Sequence, residues 1–121
     1  MNLNYTVKGT GLSVSDEIRS YIEKRLAHTE KFVGDSTAHA DIEVEYRVSE
    51  DRQHYRAEFT LATKGEVFRT EAFGDNLHEA IDIATGELRA ALAKEKKKDI
   101  GRVRRGAGKF KDFIRGLRER F

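Results

Sequence analysis

The sequence predicts an α+β fold of order β-α-β-β-β-α, a two-layer sandwich with a four-stranded sheet and two helices on one face. Three observations carry the prediction. Four segments alternate apolar and polar residues with the period of two that marks a strand with one buried face. Two longer segments repeat apolar residues every three or four positions, as a helix packed on one side does. The 121 residues, 38% apolar and 36% charged, suffice for one core plus an appendage.

The first strand is read over residues 1 to 8, with Leu3, Tyr5 and Val7 on one side and Asn2, Asn4 and Thr6 on the other, ended by Gly9 and Gly11. Ser13 and Ser15 are candidate N-caps ahead of Asp16 and Glu17, acids that a helix macrodipole favours in the first turn. Ile18, Tyr21, Ile22 and Leu26 then give a helix over about residues 15 to 32, and Gly34, Asp35 and Ser36 a loop. A parallel pairing with the next strand, through a right-handed crossover, follows from that order.

Ile42, Val44, Tyr46 and Val48 share a predicted buried face against Asp41, Glu43, Glu45 and Arg47. Tyr55, Ala57, Phe59 and Leu61 do so against Arg56, Glu58 and Thr60. The polar run 49 to 53 is a turn, and Lys64-Gly65 is a tight turn into a last strand over 66 to 73. Asp75 or Asn76 caps a second helix with a buried stripe of Leu77, Ile81, Ala84, Leu88 and Leu92. Gly86 interrupts it and weakens it by up to about 1 kcal/mol relative to alanine.

Charge divides the chain. From Leu88 onward there are thirteen Lys or Arg against four Asp or Glu, and before it ten against seventeen, leaving +2 overall. A cationic end of about +9 on an acidic body points to a polyanion, nucleic acid or an anionic membrane, as partner. Lys94, Lys96, Lys97 and Lys98 are expected to carry the second helix beyond the sheet with nothing apolar left to bury. A macrodipole gain below about 1 kcal/mol does not call for four lysines, so they are candidate phosphate ligands. Arg102, Arg104 and Arg105, among Gly101, Gly106 and Gly108, read as a basic hinge suited to phosphate or base contacts. Phe110, Phe113, Ile114, Leu117 and Phe121 then share one face of an amphipathic tail helix. The expected division is residues 1–99 as the binding domain and 100–121 as hinge and tail.

Enzyme chemistry finds no support. No two of His28, His39, His54 and His78 have the helical spacing of a metal pair; His39 and His54 could meet across neighbouring strands, but they read first as strand-end polar residues. Glu43, Glu45 and Glu58 lie on the wet sheet face, where solubility and edge protection explain them. No phosphate-cradling glycine loop, nucleophile elbow or cysteine occurs, and no cofactor or metal is expected. Without a membrane-length apolar run or a signal peptide, the expectation is a cytoplasmic protein, monomeric off its partner.

The opening of the first helix, Ser15 to Arg19, with Lys31-Phe32 near its end, and Asn76 to Asp82 leading into Lys94 to Lys98, resembles the ribosome hibernation-promoting factors, also called ribosome-associated translation inhibitors. The resemblance spans about residues 1 to 98. It implies a fold like the double-stranded-RNA-binding domain, no catalysis, and occupation of the mRNA and tRNA path on the small ribosomal subunit through rRNA phosphates. Carried over by position, Arg19 and Arg25 match basic sites of the first helix, and Lys94, Lys96 and Lys98 those of the second. Arg89 stands one residue from a basic mid-helix position, Glu87 and Ala90 replace frequent Lys or Arg, and His28 a frequent Lys. The short segment after Asp99 suggests a short-type factor whose basic tail touches rRNA or a ribosomal protein. Two alternatives stay open: a membrane-surface or protein-docking adaptor working through the terminal helix, and a free double-stranded-RNA binder.

Overall fold

The computed structural model describes residues 3–33, 37–48 and 54–102, with side chains described through residue 95. Its elements are β1 (Leu3–Thr10), α1 (Asp16–Glu30), β2 (Ala38–Tyr46), β3 (Tyr55–Thr63), β4 (Glu66–Gly74) and α2 (Leu77–Arg102). The sheet runs in the order β1-β2-β3-β4. β1 lies parallel to β2, while β2, β3 and β4 form an antiparallel meander.

Local chemistry sets the boundaries. Ser15 caps α1 by accepting the Ile18 backbone N–H at 3.1 Å. Asn76, of the two expected candidates, caps α2, its side-chain oxygen taking the Glu79 N–H at 2.8 Å. β1 runs through Gly9 to Thr10 and turns at Gly11, whose φ of +72° is one that L side chains rarely adopt. A Cβ on Gly11 would also stand 2.4 Å from the Tyr46 carbonyl oxygen. Lys64 and Gly65 both have positive φ, 53° and 76°, as a two-residue hairpin turn of the primed type requires.

Both helices cover one sheet face. Ile22 and Leu26 of α1, and Leu77, Ile81, Ala84, Leu88 and Leu92 of α2, join the inward residues Ala40, Ile42, Val44, Ala57, Phe59 and Leu61 in a single core. The register Ala40↔Leu61, Ile42↔Phe59 and Val44↔Ala57 keeps these apolar pairs on that face. Thr70 ties the layers by donating to the Ala84 carbonyl at 2.9 Å.

Four expectations change. β2 ends at Tyr46, so Val48 is 92% exposed rather than buried. α2 continues helically through Gly101 to Arg102, across the position expected to begin the hinge. Glu95 is buried, so α2 still packs on the body beyond Leu92, where nothing further was expected to pack. Glu43, Glu45 and Glu58 stand on β2 and β3, the two inner strands, and so guard no edge. The 34–36 loop and the 49–53 turn lie outside the described residues.

Gly86 meets nothing within 4 Å at the place a Cβ would take. Gly86→Ala is therefore expected to stabilise the fold by about 0.5 to 1 kcal/mol, read as a rise in the urea midpoint at unchanged slope.

Candidate nucleic-acid interface

A polar seam fixes how α1 and α2 lie together. Glu17 meets His78 at 3.3 Å, the Tyr21 ring packs edge-on to His78 with centroids 4.5 Å apart, and the Tyr21 hydroxyl donates to Asp82. Arg25 then reaches Asp82 at 3.3 Å and Thr85 at 3.4 Å. Each advance along α1 is matched by an advance along α2, so the two helices run side by side in the same direction. The hydrogen bond to Asp82, followed by burial, raises the Tyr21 pKa. Sequence reasoning took Tyr21 for core and left Asp82 without a role, because only the register between the helices brings them together.

That seam separates the two candidates of the first helix. Arg25 is half-buried, its guanidinium nitrogen committed to α2. Arg19 is exposed on the other flank, beside the Tyr5 ring of β1, whose hydroxyl donates to Glu23. Burial first, and the Glu23 hydrogen bond next, raise the Tyr5 pKa. The structure therefore does not bring Arg19 and Arg25 onto one surface.

On α2, half-buried Arg89 lies one helical turn past Thr85, on the flank that continues the seam. Lys94 is exposed, one residue before buried Glu95. Glu95 lines a narrow cleft with Phe32, Val33, Thr63, Lys64, Glu66, Phe68 and Leu92. The helical backbone carries the positions of Lys96, Lys97, Lys98 and Arg102, so these cations follow one another along a single rigid element at about 1.5 Å per residue. Arg104 and Arg105, with the expected tail helix, fall outside the described residues.

The open face of the sheet holds a feature that sequence reasoning missed. Lys8, Glu43, Glu58 and Glu71 stand abreast on the four strands, which sets three carboxylates side by side. Arg56, one step along β3, is only 6% exposed and lies across them. It donates to Glu43 at 2.9 Å, Glu71 at 2.6 Å, Glu45 at 3.3 Å and Glu58. Burial works to lower the Arg56 pKa, but the bonds to Glu43 and Glu71 and the Glu58 charge outweigh it and raise the value. Glu43 is held below the usual glutamate range by the Thr10 hydroxyl first and Arg56 second.

His39 and His54 do not meet across the strands and stand at strand ends. His39 pairs in register with Ala62 at one end of β2, while His54 bonds the Arg47 carbonyl at the other end at 3.2 Å. Among the described residues no three His, Cys, Asp or Glu are grouped to hold a metal ion, and no helix is long and apolar enough to cross a membrane.

The chain is 25% identical over 96 residues to a ribosome hibernation promotion factor of Bacillus subtilis, covering 79% of this chain and 50% of that protein. With the protein of the same name from Staphylococcus aureus it shares 27% over 120 residues, covering 97% and 60%. It thus spans about half the length of the curated relatives it matches. The N-terminal domain of Thermus thermophilus Protein Y superposes with a TM-score of 0.65 at 28% identity, covering 78% of this chain and 98% of that one. A ribosomal subunit interface protein from Coxiella burnetii gives 0.67 at 17% identity, with the same coverage, and shares the fold. Residues 5–99 match the family described as sigma 54 modulation protein / S30EA ribosomal protein, and the chain belongs to that family.

Proposed function

We propose that this chain is a ribosome hibernation factor, a non-enzymatic cytoplasmic inhibitor that binds the small ribosomal subunit through rRNA phosphates and occludes mRNA and tRNA. The observation that carries the reading is the lysine run set on α2. Lys94, Lys96, Lys97 and Lys98 lie within little more than one turn of a helix that is packed on the core as far as Glu95 and continues to Arg102. Four cationic positions gathered on one turn concentrate positive charge where an RNA backbone can be neutralised, and such binding needs no base-specific readout. Arg89 adds to this surface from the seam flank, and Arg104 and Arg105, which follow in the sequence, add further charge. Arg19 belongs to a separate exposed site beside β1, and Arg25 positions α1 against α2 before it meets any phosphate.

The names of the relatives support the ribosome as target. The two helices on one sheet face support a likeness to double-stranded-RNA-binding domains. In this reading residues 1–99 are the ribosome-binding unit, and the basic segment that follows, with its amphipathic pattern, adds contacts.

Deleting Gly106 to Phe121 tests the reading against an adaptor that works through its terminal segment. The truncated protein is expected to inhibit translation of a reporter mRNA by cell extract, at a concentration raised less than about tenfold. It should also compete with mRNA for small subunits. Complete loss of inhibition and of subunit binding on truncation contradicts the proposal.

A further inference from the structure

The end of the molecule opposite the lysines carries a second surface of different chemistry. Here β2 ends and β3 begins, with Tyr46 facing Tyr55 across the two strands at a ring separation of 5.1 Å. The His54 ring tilts against Tyr46 at 6.1 Å. Of the three large apolar side chains that the described residues leave exposed, Tyr46 at 38% and Val48 at 92% lie at this end.

The rings are held in place. The Tyr46 carbonyl is covered by Gly11, which leaves no room for a Cβ there. The Arg47 N–H donates to the His54 carbonyl at 2.8 Å, and the His54 ring nitrogen Nδ1 bonds the Arg47 carbonyl at 3.2 Å. Cross-strand packing accounts for the Tyr46–Tyr55 pair, and the outer ring and the valine beyond it stand open to a partner.

Charge selects the occupant. Both helices start at this end, and exposed Asp16, Glu17 and Asp75 stand in or beside their first turns. Arg47, the described cation there, is engaged by Glu45 at 2.8 Å and lies over the Phe73 ring at 5.7 Å. These acids offset the partial positive charge of the two helix N-termini, and a cationic side chain gains both from them and from the faces of the rings.

We propose that the Tyr46–His54–Tyr55 shelf docks an arginine-rich segment of a protein partner, with a guanidinium on the Tyr46 face. The molecule then presents a cationic end to RNA and an anionic aromatic end to basic protein, so that a ribonucleoprotein surface engages both.

The test titrates the full-length chain with a nine-residue arginine-rich peptide, and separately with a nine-nucleotide oligouridylate, following the tyrosine ring resonances by NMR. The peptide is expected to shift Tyr46 and Tyr55. Tyr46→Phe should keep the affinity because the ring face is retained, and Tyr46→Ala should weaken it about fivefold, the loss of one exposed cation–π contact. Ile83→Ala, at the third exposed apolar residue, should leave it unchanged. The proposal is overturned if Tyr46→Ala binds the peptide as tightly as the parent, if the peptide moves neither ring, or if the oligouridylate shifts the rings in its place.

Discussion

Arg56→Met is expected to destabilise the protein by about 3 kcal/mol or more, the usual consequence of removing one partner from a buried ionic network. The guanidinium is nearly closed to solvent and bonds four glutamates. Without it Glu43, Glu58 and Glu71 stand abreast across three strands as like charges, with Arg69 on Glu58 as a remaining cationic partner. For a unit of this size the melting midpoint should fall by more than about 10 °C. Glu71→Gln added to Arg56→Met should recover part of the loss, because the double variant carries one charge fewer. A midpoint within about 2 °C of the parent would show the array to be ornamental.

Carboxylates on the same open sheet face set the acid limb of stability. Glu43 and Asp41 both titrate below their usual values, Glu43 through Thr10 and then Arg56, Asp41 through Thr6 and then His39. The unfolded chain therefore binds more protons in this range, and stability increases with pH through it. Their contribution is complete above the ordinary carboxylate values of 4.5 and 3.8 and is lost as pH falls through the lower folded-state values. In Arg56→Met the dependence weakens, since protonation there relieves repulsion. The gap between variant and parent should narrow as the solution is acidified.

Most of the fold was legible because its signals are local. Alternation in Ile42 to Tyr46 and Tyr55 to Leu61, the Lys64-Gly65 turn and the stripe from Leu77 to Leu92 each depend on neighbours in sequence, and each places its element correctly. Val48 departs because alternation continues past the last ladder partner, and period alone does not mark where pairing stops. Glu95 departs because a charged residue gives no sign of being packed. The arrangement around Arg56 depends on register across three strands, and the Arg25–Asp82 clamp on register between two helices. Sequence placed Arg56 and Glu58 on the wet face without showing that the arginine would be the covered member. The cations of α2 were legible as a run, and the structure adds that one continuous helix carries them as far as Arg102.

Reversing Lys94, Lys96, Lys97 and Lys98 to Glu is expected to lower affinity for small ribosomal subunits by at least about 100-fold at moderate salt. Neutralising six to ten phosphates makes binding fall by about three to five decades between 50 and 200 mM salt. Removing four of those contacts should flatten the slope of log affinity against log salt by about three units. Lys94 is exposed, so its reversal leaves the core intact. Loss of affinity with an unchanged salt slope would move the RNA contacts elsewhere on the molecule.

The most direct test of the central claim is co-sedimentation of the full chain with small ribosomal subunits at low and moderate salt, with and without saturating mRNA and initiator tRNA. The account predicts stoichiometric binding at low salt, a steep loss as salt rises, and displacement by mRNA and tRNA. Failure to sediment with subunits at either salt, or binding indifferent to both salt and mRNA, would contradict it.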